Sequence, residues 1–218
     1  MILYISEGRG KKEIKQFYKM FIYSAGCSIA AGYGMDTTYT IELAKGFGSG
    51  WVNVSRPGAG NDWIFHQTIE YLNGNPKPDW AIIQWSSPNR RLHTDISGKE
   101  WYVTIQDHKN LYPKFEPMGS LHTLHYMYTL QELLNSRGIN WIFWNYFPLD
   151  VSATKTRTWD KIEWGKFVNI DRAWIIHNGM AWDEFGHPNL KGIEWITHTL
   201  TEKMRKDTIY NPQYKTII

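Results

Sequence analysis

Two side chains with nucleophilic chemistry stand next to each other in FIYSAGCSIAAGYG, residues 21–34: Cys27, the only cysteine of the chain, and Ser28. A thiolate is the stronger nucleophile, whereas a serine hydroxyl attacks only when a base takes its proton. A base with carboxylates beside it lies near the other end of the chain, in WDEFGHPN, which holds Asp183, Glu184 and His187. Between the two, NVSRPGAGND carries Gly58 and Gly60, and SSPN, residues 86–89, carries an amide. Glycines let backbone N–H groups approach a substrate, and such donors stabilise a developing oxyanion. Nucleophile, base, orienting carboxylate and oxyanion donors are the parts of serine-type acyl transfer.

These parts need a scaffold that brings distant segments together. Four short apolar runs, at residues 21–24, 51–54, 80–85 and 140–147, lack polar alternation. That pattern predicts strands buried on both faces, as in a parallel sheet covered by helices. Helices are predicted over 62–72, with Asn61 as cap, over 120–136 and over about 190–204. In the second, Leu121, Leu124, Met127, Tyr128 and Leu134 recur at helical spacing. Strand alternating with helix predicts a three-layer α/β/α sandwich. Open sheets of this kind place their sites beyond the carboxyl ends of the strands, and the segments above follow strand candidates or precede the last helix. The polar and aromatic stretch 90–118 breaks the rhythm and reads as an inserted lid or binding loop. Residues 150–172 form a second loop candidate for substrate contact.

Bulk properties narrow the function classes. The 218 residues fit a single domain over 1–218. The net charge is +3, with no block of five or six like charges, so neither nucleic acid nor a membrane surface is an expected partner. No apolar stretch approaches the ~18 residues of a membrane span. The N-terminus has a short apolar start followed by charge, the reverse of a secretory signal, so a cytoplasmic or virion-associated location is expected. One cysteine excludes an internal disulfide and a cysteine-rich zinc site. His122 and His125 share a helix face, but no acidic residue near them in sequence completes a metal set, and no metal is expected. Twelve tryptophans, with aromatics at 16%, suit a packed core, an interface or a sugar-stacking surface.

The ordered motifs carry a family resemblance. FIYSAGCSIAAG resembles the first conserved block of the GDSL/SGNH hydrolases, where a Gly-Asp-Ser turn follows the first strand. NVSRPGAGND resembles their second block and DEFGHPNLKG their last, so the likeness spans residues 21–192 in the family's order. It implies a flavodoxin-like sheet and an esterase that uses no metal or organic cofactor. It implies Ser28 as nucleophile, His187 as base, and the backbone N–H groups of Ser28 and Gly58 as oxyanion donors. The family's third donor is an Asn in a Gly-x-Asn-Asp sequence, where this chain reads QWSSPNR. Asn89 is the choice there, with Ser86 and Ser87 as alternatives, and Asn61 is read as a helix cap instead.

The family's triad acid stands three residues before the histidine, which gives Glu184. Asp183 stands four before, and Gly186 could absorb the extra residue, so both carboxylates stay open with a lean to Asp183. Cys27 fills the slot of the family's middle aspartate and reads as a buried packing residue. Arg90 and Arg91 are candidates to hold a substrate carboxylate or phosphate, or are solvated. The expected substrate is a small-molecule or glycan ester, with a short acyl group on a carbohydrate favoured. The alternative is a degenerate SGNH fold serving as a glycan-binding or structural component of a phage virion, since the GCS turn looks similar to SGNH-like proteins of phage genomes. A nucleotide-binding flavodoxin-like domain fits less well, because SAGCSIAAG lacks a P-loop lysine and the dinucleotide spacing.

Overall fold

In the computed structural model the described residues are 20–88, 90–94, 100–103, 116–149, 155–170, 172–183 and 185–210. In chain order they form β1 (Phe21–Ala25), α1 (Ser28–Ala31), α2 (Tyr39–Phe47), β2 (Gly50–Asn53), α3 (Asn61–Gly74) and β3 (Trp80–Trp85). A hairpin of β4 (Arg91–Thr94) and β5 (Glu100–Val103) follows, then α4 (Glu116–Ser136) and β6 (Asn140–Asn145). Two 3-10 turns, Trp159–Lys161 and Trp164–Lys166, lead into β7 (Phe167–Asn169), α5 (Arg172–His177) and α6 (Leu190–Tyr210).

Among these residues five strands form a parallel sheet in the order β2-β1-β3-β6-β7. With the β4–β5 hairpin set aside, this is the 2-1-3-4-5 order of flavodoxin-like folds. Alternate side chains of β1 identify the two covering layers. The Tyr23 hydroxyl donates to Thr68 Oγ1 on α3, and Ser24 Oγ shares a hydrogen bond with the Tyr39 hydroxyl on α2. Neighbouring residues of a strand point to opposite faces, so α2 and α3 lie on opposite sides of the sheet. Helix α6 packs on α2, and α4 packs on α3. The domain is an α/β sandwich of three layers.

The core explains why the central strands read as unbroken apolar runs. Every residue of β3 is buried, as are Trp141 to Trp144 of β6. Trp80, Trp85, Trp141 and Trp144 fill the interior. Burial also raises the Tyr23 and Tyr39 hydroxyls far above their ordinary range, so both stay neutral.

Several local expectations are corrected. Asn61 does not cap α3: Gly60 holds that position without a side-chain bond, and Asn61 is the buried first residue of the helix. The expected loop 150–172 contains strand β7, whose three residues are too few to show a pattern. Residues 90–118 hold the β4–β5 hairpin, and their last three already belong to α4. Helix α2 was signalled by Thr38, whose Oγ1 accepts from the Ile41 N–H, and by Gly48 at its C-terminal end. The last helix continues six residues past the expected 204.

Candidate active site

Ser28 is the first residue of α1, directly beyond the carboxyl end of β1. The chain enters the helix through Cys27 in extended conformation and leaves through the left-handed Gly32. The turn is tied to the sheet by Gln84, a fully buried polar residue near the end of β3. Its Oε1 accepts the Cys27 N–H at 2.8 Å, and its Nε2 donates to the Trp85 carbonyl at 2.7 Å. An amide inside a strand of apolar residues is stable only when both of its ends are bonded, as here. Cys27 is 1% exposed, as expected of a packing residue.

The loop after β2 runs beside this turn. Val54 N–H donates to the Ser24 carbonyl and Arg56 N–H to the Gly26 carbonyl, at 3.0 and 3.1 Å. Gly58 follows in a turn with φ of 83°. Among the described residues no hydrogen bond uses the N–H of Ser28 or of Gly58.

His187 arrives from the opposite end of the sequence on a compact loop before α6. An antiparallel bridge between Ala181 and Pro188 closes its base, and Trp182 N–H donates to the His187 carbonyl at 2.9 Å. Gly186 N–H donates to the Asp183 carbonyl, with Gly186 at φ 82°, a value that favours glycine. This left-handed residue turns the chain so that Asp183, four residues before the histidine, meets it twice. Its Oδ1 accepts the His187 backbone N–H at 2.9 Å, and its Oδ2 lies 2.6 Å from Nδ1. On the other side of the ring, Nε2 is 3.0 Å from Ser28 Oγ. An ionised carboxylate only accepts, so the ring proton sits on Nδ1 and Nε2 accepts from the serine hydroxyl.

Partial burial raises the Asp183 carboxyl, but the hydrogen bonds from the His187 ring and backbone, the electrostatic attraction of the ring and the Phe185 N–H outweigh it. The net effect holds Asp183 below its ordinary range. The loop is also gripped from outside. The Tyr146 hydroxyl, just past β6, donates to the Gly186 carbonyl, and Arg172 Nε donates to the Phe185 carbonyl at 2.8 Å.

The structure thus brings Ser28, His187 and Asp183 into one chain of contacts across 159 residues of sequence. Glu184 and Asn89 lie outside the described residues. Arg90 is half-buried, with Nη1 donating to Ser86 Oγ at 3.3 Å. The side chain of Asn61 clamps the same loop: Oδ1 accepts the Ser86 N–H at 2.7 Å, and Nδ2 donates to the Ser86 carbonyl and to Thr123 Oγ1. Gln84 and Tyr146 were missed from sequence. Only Gln84 left a signal there, as a lone amide within WAIIQW. Among the described residues no group of three His, Cys, Asp or Glu side chains is arranged to hold a metal ion, and no helix is long and apolar enough to cross a membrane.

No protein-family model matches the chain, and no curated protein matches it by sequence. Solved structures do. A protein of the G-D-S-L family from Desulfitobacterium hafniense is similar with a TM-score of 0.55 at 14% identity, over 85% of this chain and 99% of that one. The psychrotrophic esterase EstA from a Pseudoalteromonas species is similar with a TM-score of 0.59 at 14% identity, over 88% of this chain and 100% of that one. A carbohydrate esterase, described as having divergent catalytic and non-catalytic binding functions in its active site, reaches 0.53 at 12% identity, over 88% of this chain and 66% of its own. What these proteins share with the chain is architecture: it has the fold of the GDSL/SGNH hydrolases.

Proposed function

We propose that this chain is a serine esterase that hydrolyses a carboxylic ester, with Ser28 as nucleophile, His187 as general base and Asp183 as the carboxylate that orients it. The observation that carries this reading is the His187 ring, bonded to Asp183 through Nδ1 and to Ser28 through Nε2. In this mechanism Ser28 Oγ attacks the ester carbonyl carbon while its proton passes to Nε2. The carbonyl oxygen becomes an oxyanion that accepts hydrogen bonds from the N–H groups of Ser28 and Gly58, with Asn89 assigned as third donor. The C–O bond to the alcohol then breaks, and the departing oxygen takes the proton from Nε2. Water attacks the acyl-enzyme with His187 again as base, releasing the acid and restoring Ser28. Asp183 keeps the imidazole in the right tautomer and stabilises the imidazolium without taking its proton.

The substrate assigned is a short acyl group, such as acetyl, on a carbohydrate hydroxyl, with Arg90 available for an anionic part of it. Support for the carbohydrate comes from the aromatic content and from the similarity to a carbohydrate esterase. Ser28→Ala is expected to abolish labelling by a fluorophosphonate and to lower p-nitrophenyl acetate hydrolysis by roughly 10³-fold or more. Activity equal to wild type in that variant would overturn the assignment.

One observation favours a second reading, a catalytically degenerate SGNH fold that binds glycans or builds a larger particle. The loop after β3 reads SSPN, where the family has Gly-x-Asn-Asp, and the Asn61 amide is already spent on Ser86 and Thr123. Folded protein that takes up no fluorophosphonate would select this reading.

A further inference from the structure

Three large aromatic side chains stand half exposed around a single histidine. Tyr33 is 51% exposed, Trp182 48% and Phe185 55%. Their ring centroids lie 5.1, 5.8 and 6.5 Å from that of His187. Tyr33 and Trp182 come from separate loops yet lie nearly parallel, 28° apart with centroids 6.2 Å from each other. Isolated exposed apolar residues need no explanation, but a contiguous exposed patch does.

The arrangement is fixed rather than incidental. The Trp182 backbone is held by its bond to the His187 carbonyl and by the adjacent Ala181–Pro188 bridge. The Cζ2–Cε2–Nε1 edge of its indole rests on Gly34, where any Cβ would fall 2.7 Å from Cζ2. A ring held from below, with one side left to solvent, is preorganised for a ligand.

The position of the rings says which part of an ester they meet. His187 hands its proton to the departing alcohol, so groups that flank His187 border the alcohol half of the substrate. Their chemistry narrows that alcohol. A flexible acyl or alkyl chain is best accommodated by enclosure on all sides, whereas an open pair of near-parallel rings covers one face of a flat, rigid ligand. The negative faces of aromatic rings attract polarised C–H groups, and the Tyr33 hydroxyl offers a polar edge. A pyranose has both: a C–H face and a rim of hydroxyls.

We propose that Tyr33, Trp182 and Phe185 form a stacking platform for the sugar ring that carries the ester. This rests on the esterase reading above, and the test separates the two. The Ser28→Ala protein is titrated with xylohexaose, cellohexaose and chitohexaose, followed by tryptophan fluorescence and calorimetry. At least one is expected to bind, roughly tenfold more weakly after Trp182→Ala or Tyr33→Ala is added. Tyr33→Ala serves as the second variant should loss of the packed Trp182 impair folding. In the otherwise wild-type enzyme, Trp182→Ala is expected to lower the ratio of kcat/KM for an acetylated oligosaccharide over ethyl acetate by the same factor.

Failure of all three saccharides to bind, or an unchanged ratio, overturns the platform. So does a preference for long acyl chains that disappears with Trp182, which would give the rings to the acyl half. Fluorophosphonate labelling of the wild type reads the other claim. Labelling without saccharide binding removes the platform and keeps the esterase. Saccharide binding without labelling keeps the platform and removes the esterase.

Discussion

The segment that presents Ser28 and the loop that presents His187 are held by different means. The Ser28 turn is an extension of the core: it grows from β1, and Gln84 of the neighbouring strand accepts its Cys27 N–H. The His187 loop is assembled locally. Its bridge, its turn at Gly186 and both bonds to Asp183 all lie within residues 181–188, and Tyr146 and Arg172 grip it from outside. Ser28 therefore inherits its position from the sheet, while His187 inherits its own mainly from the residues just around it. Damage to the first should register as lost stability, and damage to the second as lost chemistry with the fold intact.

Asp183→Asn gives the largest expected effect. It keeps the shape but donates where the imidazole needs an acceptor, and kcat on p-nitrophenyl acetate should fall roughly 10²- to 10⁴-fold. Glu184→Ala, measured beside it, should stay within about threefold of wild type if Asp183 alone serves the ring. Equal losses in both variants would mean that the local loop does not single out one carboxylate. Gln84→Leu tests the other side of the comparison. It strands the buried Cys27 N–H and should cost about 1–3 kcal/mol in urea unfolding, along with activity. An unchanged unfolding midpoint would show that the core does not hold the turn.

Gly186→Ala asks for less. A side chain there is strained by the left-handed backbone and would lie 3.0 Å from Arg172. A stability loss of about 1 kcal/mol is expected, with slower fluorophosphonate labelling of Ser28. The smallest effect is on acid stability. Because folding holds the Asp183 carboxyl below its ordinary value of 3.8, its contribution is present above that pH and is lost as pH falls through the lower native value. The unfolding free energies of wild type and Asp183→Asn should converge as pH drops below 3.8, as followed by denaturant titration.

The same contrast explains what could be read from the sequence. β1, β3 and β6 were legible because burial on both faces leaves an apolar run, and so a parallel sheet covered by helices was expected, with the family resemblance adding its flavodoxin-like order. β7 was not, because it spans three residues. The order of short motifs singled out Ser28 and His187, and the fold brings their side chains within 3.0 Å of each other. The choice between Asp183 and Glu184 stayed open because spacing alone does not say where the chain turns; in the structure the left-handed Gly186 turns Asp183 onto the His187 ring. Asn61 was misread as a cap because its partners, Ser86 and Thr123, are 25 and 62 residues away. Helix-start statistics are local, and this amide is used at long range. Likewise, nothing in the spacing of Tyr33, Trp182 and Phe185 announces that they meet at one ring.

Cys27 has a practical consequence of its own. It is the chain's single thiol, it sits beside Ser28, and it is sealed from solvent. A thiol-directed chromophore can modify it only in molecules whose turn has momentarily opened. Under native conditions the labelling rate, divided by that of the unfolded chain, is then the equilibrium constant for opening. The protein carries its own reporter for the motion of the Ser28 turn, readable without engineering in another thiol, and a ligand that fills the site should slow the labelling.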